Sequence, residues 1–397
     1  MNKGKFKKLS FISLATLFEG IICGVLGSLF ANVISIVTEV RSNNFWLVFL
    51  LPIAGLLSVF IFKICRTENE GTSDVIKSVN GSATVSMLLL PAVFIGSALT
   101  HLCGGSAGRE GAALQMGGSI SSIFARIFKL DSEQQNFLTV VGMSGFFSAL
   151  FGTPFGAFVF AIEVVRAGKK AISFIIPTLV SSVSAYGVVT LFKVKPERFP
   201  LEEVLEYDVW SVVRILLISV LGAFLSLGFC KILRITKTVF KKYFENAYLR
   251  ILIGGVMITV LTLIVGTTDY NGGGIDIIEK IFTQNSVKYE AFLLKIIFTA
   301  ITVAAGFKGG EIIPTFFIGA TFGGALASIL GLSIPLGAAV GMAALFCGVT
   351  KCPIATCVLA IEMFGAKGIV FYILSSLLSY LLSGKDNLYG IKKGIWM

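Results

Sequence analysis

One histidine, His101, stands in the whole 397-residue sequence. The HExxH helix of zinc hydrolases is therefore absent, and any mechanism that needs a histidine base has a single candidate. Charge is scarce too: Asp, Glu, Lys and Arg together make up 14% of the chain, far below the roughly 25% of soluble domains. That shortage excludes a water-exposed globule of this size. No two of the seven cysteines form a CxxC pair. Cys23, Cys65, Cys103 and Cys230 sit in apolar segments, and Cys347, Cys352 and Cys357 are spaced by five residues, a spacing that drifts around a helix rather than building a metal site. We read all seven as small core residues and expect no metal and no cofactor.

What remains is apolar. Hydrophobic residues reach 55% and mean hydropathy +0.89, which places the chain in a bilayer as a polytopic, all-α integral membrane protein. Runs such as Phe11–Val40, Phe45–Ile64, Met87–Cys103, Ile172–Phe192, Val212–Ile232 and Ile251–Val265 approach or exceed the roughly 20 residues of a spanning helix. The four lysines within Met1–Lys8 precede an apolar run too long for a cleaved signal, so an uncleaved first helix and a cytoplasmic N-terminus are expected. The net charge of +11 is spread over short loops, including Lys63–Arg66, Arg166–Lys170 and Lys231–Lys242. The positive-inside bias accounts for it without nucleic acid.

Other apolar segments are short or broken by glycine: 107–126, 142–165 and 309–329. They predict tilted and re-entrant helices, tolerated at membrane depth only where they are buried in protein or line a wet cavity. The chain also repeats itself. Val141-Gly142-Met143, Phe147, Pro154 and Ala161-Ile162-Glu163 recur 199 positions later as Val340-Gly341-Met342, Phe346, Pro353 and Ala360-Ile361-Glu362. Gly108, Glu110 and Gly118 recur 201 positions later as Gly309, Glu311 and Gly319. We expect one transport domain over 1–397 made of two halves, about 9–193 and 209–390, with an inverted arrangement as the first guess and no cytosolic regulatory domain after the tail Lys385–Met397.

The stretch from Gly104 to Gly111 is a glycine-rich approach to a helix beginning near Glu110, and Gly306–Glu311 is its counterpart. Free N–H groups at helix starts form an anion site without a fixed cation. Gly71-Thr72-Ser73-Asp74 offers a third start. A carboxylate at such a place is itself an anion. Glu110 can occupy the position a transported ion vacates, and burial and helix starts pull its proton affinity in opposite directions, which brings proton exchange within reach. The alternative is that Glu110 only caps its helix or pairs with Arg109.

These residues resemble the CLC family of chloride channels and anion/proton exchangers over nearly the whole chain. Gly108-Arg109-Glu110-Gly111 matches the family's gating-glutamate motif, with Ala112 for the usual proline. Gly310-Glu311-Ile312-Ile313-Pro314 matches the second helix-start motif, with Ile312 for the usual phenylalanine, and Tyr389 falls where the family has an anion-coordinating tyrosine. The resemblance implies an inverted repeat of about 18 helices and a homodimer with one pathway per subunit. Two departures weigh against chloride: the family's Gly-Ser-Gly-Ile-Pro is replaced by Gly71-Thr72-Ser73-Asp74-Val75, and the inner proton glutamate of the chloride exchangers, next to the position of Glu163, is Val164. The run Lys308–Glu311 and the phenylalanines after Pro314 are most similar to the bacterial fluoride-exporting branch.

That branch implies fluoride/proton antiport across the cytoplasmic membrane, with Glu110 as shuttle, Glu311 as polar partner and Phe316 or Phe317 as the aromatic beside the path. Anion contacts then fall to Gly108, Arg109, Gly111, Gly310 and Ile312, with hydroxyls from Thr72 and Tyr389. The alternatives are packing for the phenylalanines and an ion pair with Lys308 for Glu311, while Glu163 and Glu362, at equivalent places in the repeat, read better as sharing a structural role near a helix end than as transport residues. A chloride channel or chloride/proton exchanger is the near alternative. An intramembrane serine protease is the remote one: Gly104–Gly108 has G-x-S-x-G form and Gly142-Met143-Ser144-Gly145 resembles the rhomboid motif. His101 precedes Ser144, where rhomboids place the base later, and closely packed small residues explain both patterns.

Overall fold

The computed structural model describes residues 3–81, 84–201 and 208–390; the lysine side chains ahead of Phe11 and the tail beyond Gly390 lie outside the described residues. Sixteen α-helices follow one another there. The first eight are α1 (Lys3–Asn43), α2 (Leu51–Ile64), α3 (Thr72–Ser78), α4 (Leu89–Leu102), α5 (Glu110–Ile127), α6 (Ser132–Phe151), α7 (Pro154–Val164) and α8 (Ala171–Leu191). The second eight are α9 (Val209–Tyr243), α10 (Ala247–Val265), α11 (Ile275–Gln284), α12 (Ala291–Ala305), α13 (Ile312–Leu330), α14 (Ile334–Thr350), α15 (Pro353–Phe364) and α16 (Ile369–Leu382). Short 3-10 turns at Phe45–Leu50, Gly168–Lys170 and Ala366–Gly368 complete the set. The described residues contain no strand, only one isolated bridge.

Local sequence explains where the helices start and stop. Asp131 accepts from the Gln134 amide at 2.8 Å while Gln134 Oε1 accepts from the Asp131 amide at 3.1 Å, a reciprocal cap on α6. Asp208 and Asn246 cap α9 and α10 one way only, their side chains accepting from the Ser211 and Tyr248 amides. Proline stands at the first position of α7 and α15, where its missing N–H costs nothing. α10 and α13 stop at Gly266 and Gly331, both left-handed.

Six helical segments, Leu14–Asn43, Phe45–Ile64, Ala171–Leu191, Val209–Tyr243, Ala247–Val265 and Ile312–Leu330, are long and apolar enough to cross a membrane. Their outer faces carry bare apolar side chains such as Ile172 and Leu191, about four-fifths exposed. In water such surface would be ruinous; in lipid it is solvated. The inner layer is different. α5, α6, α13 and α14 are buried almost throughout, and glycine lets their backbones touch: a Cβ at Gly117 would fall 2.3 Å from Gly142 O, and one at Gly319 would fall 2.6 Å from Gly341 O.

α7 and α15 cap each other. Glu163, near the end of α7, accepts from the Ile354 and Ala355 amides at the start of α15 (3.3 and 2.7 Å). Glu362, near the end of α15, accepts from Phe155 and Gly156 at the start of α7 (3.1 and 2.6 Å). Both carboxylates therefore satisfy helix starts that would otherwise be orphaned. Glu163→Ala is expected to lower stability by about 1–3 kcal/mol through the unpaired buried amides, read as a lower unfolding midpoint in detergent. A variant as stable as the parent would show that this cap contributes nothing.

Candidate functional site

Two glycine loops cross at the centre of the molecule. The Gly108 amide donates to Gly310 O at 2.7 Å and the Gly310 amide donates to Gly108 O at 2.6 Å, so the starts of α5 and α13 lie tip to tip. Only residues without a side chain permit this approach: a Cβ on Gly310 would fall 2.2 Å from the Gly111 amide nitrogen. Gly309, at φ +155°, adopts a conformation that side-chain-bearing residues avoid. Two helix N-termini, each with N–H groups outside its own helical ladder and a positive dipole end, thus face one small volume.

Buried polar anchors hold the loops. The Ser106 amide donates to Thr302 Oγ1 (3.0 Å), and Ser106 Oγ shares a hydrogen bond with Thr299 Oγ1 (3.1 Å), both on α12. Asn271 Nδ2 donates to Gly104 O (2.6 Å) and the Gly272 amide to Gly105 O (3.0 Å). Lys295, wholly buried, donates from Nζ to Tyr270 O (3.1 Å) and Gly272 O (2.7 Å). Among the described residues this lysine pairs with no carboxylate; it pins the loop that pins the site.

Glu110 is the first residue of α5 and is 1% exposed. Its carboxylate folds back over Gly108, where a Cβ would fall 2.4 Å from Oε2, and Oε2 accepts from the Ile313 amide in the first turn of α13 at 3.3 Å. The acid of one half thus sits on the helix start of the other. Arg109 does not pair with it. The Arg109 guanidinium forms an ion pair with Glu197 and donates to Leu150 O at 3.3 Å. A cavity of about 690 Å³ reaches this point, lined by Arg41, His101, Gly108, Arg109, Glu197 and Ile313 among others.

The remaining candidates are distributed unevenly around this centre. Gly111 and Gly310 are in contact, and Thr72 joins them: its hydroxyl donates to Gly111 O (3.2 Å) and accepts from Gln115 Nε2 (2.9 Å). Its single proton is committed to the backbone in this state. Ile312 opens α13, though the amide that meets Glu110 belongs to Ile313. Glu311 makes no ion pair among the described residues, and Lys308 lies over the Phe62 ring with Nζ 3.8 Å from its centroid. Phe316 packs edge-on to Phe151 (6.0 Å) and tilted against Phe346 (5.1 Å), while Phe317 faces Tyr270 (6.3 Å) and Lys295 (4.9 Å). Tyr389 is buried and its hydroxyl has no hydrogen-bond partner among the described residues, which leaves a buried donor open to an incoming acceptor. Val164 is buried and apolar and carries no proton.

Sequence reasoning overlooked Glu197 and Lys295. Lys295 left a signal, a lone cation within the apolar run Ala291–Ala305. Glu197 left none, because it stands among other charges, Lys193, Lys195 and Arg198.

Comparison with known proteins followed from this geometry. The family model described as "Voltage gated chloride channel" matches residues 54–384. The "Chloride/fluoride channel protein" of Pseudomonas syringae pv. tomato is 30% identical over 377 residues, covering 93% of this chain and 83% of that one. The "H(+)/Cl(-) exchange transporter ClcA" of Vibrio cholerae serotype O1 is 26% identical over 388 residues, covering 88% and 81%. Among solved structures, the crystal structure of a CLC-type fluoride/proton antiporter superposes with a TM-score of 0.94 at 28% identity, covering 98% of this chain and 99% of the other.

Proposed function

This chain belongs to the voltage gated chloride channel family, and on that premise we propose that it is a fluoride/proton antiporter exporting fluoride across the cytoplasmic membrane. The observation that carries the reading is the place of the Glu110 carboxylate: an internal anion seated on the start of α13, across the Gly108–Gly310 bridge, at the end of an open cavity. A halide arriving at the helix tips must displace it, and displacement is easiest when the acid has taken a proton and lost its attraction for the Ile313 amide. Ion entry and proton uptake are then one event, which is the elementary coupling of an exchanger.

Fluoride is small and strongly hydrated, so its dehydration needs several hydrogen bonds at once. The amides of Gly111 and Ile312 supply them in this reading, and those of Gly108 and Gly310 join when their reciprocal bonds open. The unpartnered Tyr389 hydroxyl adds another, and Thr72 joins if its proton turns from Gly111 O. Glu311 is the polar partner on the second motif, Arg109 acts through its field and its hold on Glu197, and Phe316 or Phe317 borders the path. The N-terminus lies in the cytoplasm. Two copies associate through their lipid-facing apolar helices, each with its own pathway.

The Vibrio relative supports a second reading, chloride/proton exchange on the same scaffold. Purified protein in liposomes separates the two. Fluoride efflux, followed with an ion-selective electrode, is expected to exceed chloride efflux at least tenfold and to drive protons the opposite way. Equal rates for both halides would remove the fluoride assignment, and fluoride flux with no proton movement would make the protein a channel.

A further inference from the structure

One buried acid has no part in the site just described. Glu19 lies in the middle of α1, fully buried, within the apolar span Leu14–Asn43. Oε1 is hydrogen-bonded to Ser121 Oγ on α5, and Oε2 has no partner. No cation stands within ion-pairing distance of it among the described residues. The groups around it are neutral: Ser121 and the Gly117 backbone from α5, the Leu138 and Gly142 backbones from α6, Ser181 and Ser184 of α8 beside Gly20, and Cys23 one turn on, whose thiol lies 3.6 Å from Gly142 O. From α4, His101 bears only on the far end of α1, where its carbonyl accepts from Arg41.

The hydrogen bonds around Ser121 have room for a proton on the acid. Ser121 Oγ lies 3.0 Å from Gly117 O and 2.9 Å from Leu138 O, besides Glu19 Oε1. A hydroxyl has one proton to offer and here faces three acceptors. The set closes when Glu19 is a carboxylic acid: its O–H donates to Ser121, and Ser121 donates to a carbonyl. An ionised carboxylate here would be charged, buried and nearly unpaired.

Placement along α5 gives that proton a direction. Glu110 and Ser121 are eleven residues apart on one helix, so they stand on the same face, three turns and about 16 Å from each other. From Ser121 to the end of α5 at Ile127 is about 9 Å more, and the segment 126–129 beyond is exposed. α1 enters from that same side. Glu19 therefore stands between the exposed loop after α5 and Glu110.

We propose that Glu19 is the proton-loading residue of this exchanger, receiving a proton from the aqueous face at Phe128–Asp131 and passing it, through water molecules along the α5 face, to the Glu110 carboxylate. Glu19 returns to the ionised form only in transit, and the net event is one proton moved from inner water to Glu110. This rests on the antiport reading above.

The test is Glu19→Gln in liposomes, with fluoride and proton fluxes measured on the same vesicles. Proton flux is expected to fall about tenfold more than fluoride flux, and Ser121→Ala, which keeps the acid and removes its relay hydroxyl, is expected to shift the ratio in the same direction. Infrared difference spectra of the parent on a pH step are expected to show a buried carboxylic-acid carbonyl band that Glu19→Gln lacks. If both fluxes fall in step, or neither changes, Glu19 only fastens α1 to α5 and the inference is overturned. If Glu19→Gln does not fold, absence of a change in flux ratio in Ser121→Ala together with no protonated-acid band in the parent overturns it equally. A parent that moves fluoride without protons sinks the antiport reading instead, so the two failures are distinguishable.

Discussion

Glu110→Gln is expected to reduce proton counterflow to the background of empty liposomes, a loss well beyond tenfold, while fluoride movement either persists as an uncoupled leak or slows without regard to pH. The amide keeps the size of the acid and cannot carry a proton between the two faces. It also gives up the charge-assisted bond to the Ile313 amide, worth about 1.5–3 kcal/mol. At about 1.4 kcal/mol per factor of ten, the side chain should leave the α13 start roughly ten to a hundred times more readily. Paired electrode recordings of fluoride and pH on one vesicle population check both halves of the expectation. A variant whose ion turnover and response to pH match the parent would mean that Glu110 is merely a cap on α5.

Gly310→Ala is expected to cripple transport far more than it weakens the fold. The new Cβ would lie 2.2 Å from the Gly111 amide nitrogen and 3.2 Å from that of Glu110. Backbone on both sides of the clash leaves no flexible side chain to yield. The two loops must separate, the reciprocal Gly108–Gly310 hydrogen bonds lengthen, and the helix tips no longer aim at one volume. Overpacking of this type costs about 1–3 kcal/mol in stability, which a 397-residue membrane protein can survive. A displacement near 1 Å in converging donors costs on the order of 100-fold in rate where geometry decides turnover. Fluoride flux is therefore expected to drop much further than the unfolding midpoint in detergent, and equal turnover in the variant would show that the tip-to-tip contact is not the ion's path.

Much of the site was written in local order. Glycine before Glu110 and before Glu311 marks two helix starts, because backbone that must approach backbone tolerates no Cβ, and the 201-residue recurrence pairs them. The reading of Glu163 and Glu362 as sharing a structural role near a helix end was legible for the same reason, since both recur at equivalent places. Their partners were not: each caps the other's segment at a separation of about two hundred residues, and no local rule reaches so far. Pairings suggested by nearness in sequence fared worse than this. Arg109 turns from its neighbour Glu110 to Glu197, and Lys308 turns from Glu311 to the ring of Phe62, because helix starts spread adjacent side chains in different directions and a buried cation takes the nearest acceptor or π face that packing supplies.

By itself, the sequence determined that this protein lives in a bilayer, that it is helical, that two similar segments carry glycine-led helix starts, and that one of those starts holds an acid. Those properties follow from composition and from contacts within a few residues, where backbone stereochemistry and transfer from water decide. Only the tertiary structure decided that the Glu110 carboxylate rests on the helix of the opposite segment, that Arg109 is spent on Glu197, and that Glu19 faces Ser121 in the buried interior. These are contacts between residues far apart in the chain, selected by how whole helices pack, and the energy of such packing depends on every neighbour at once.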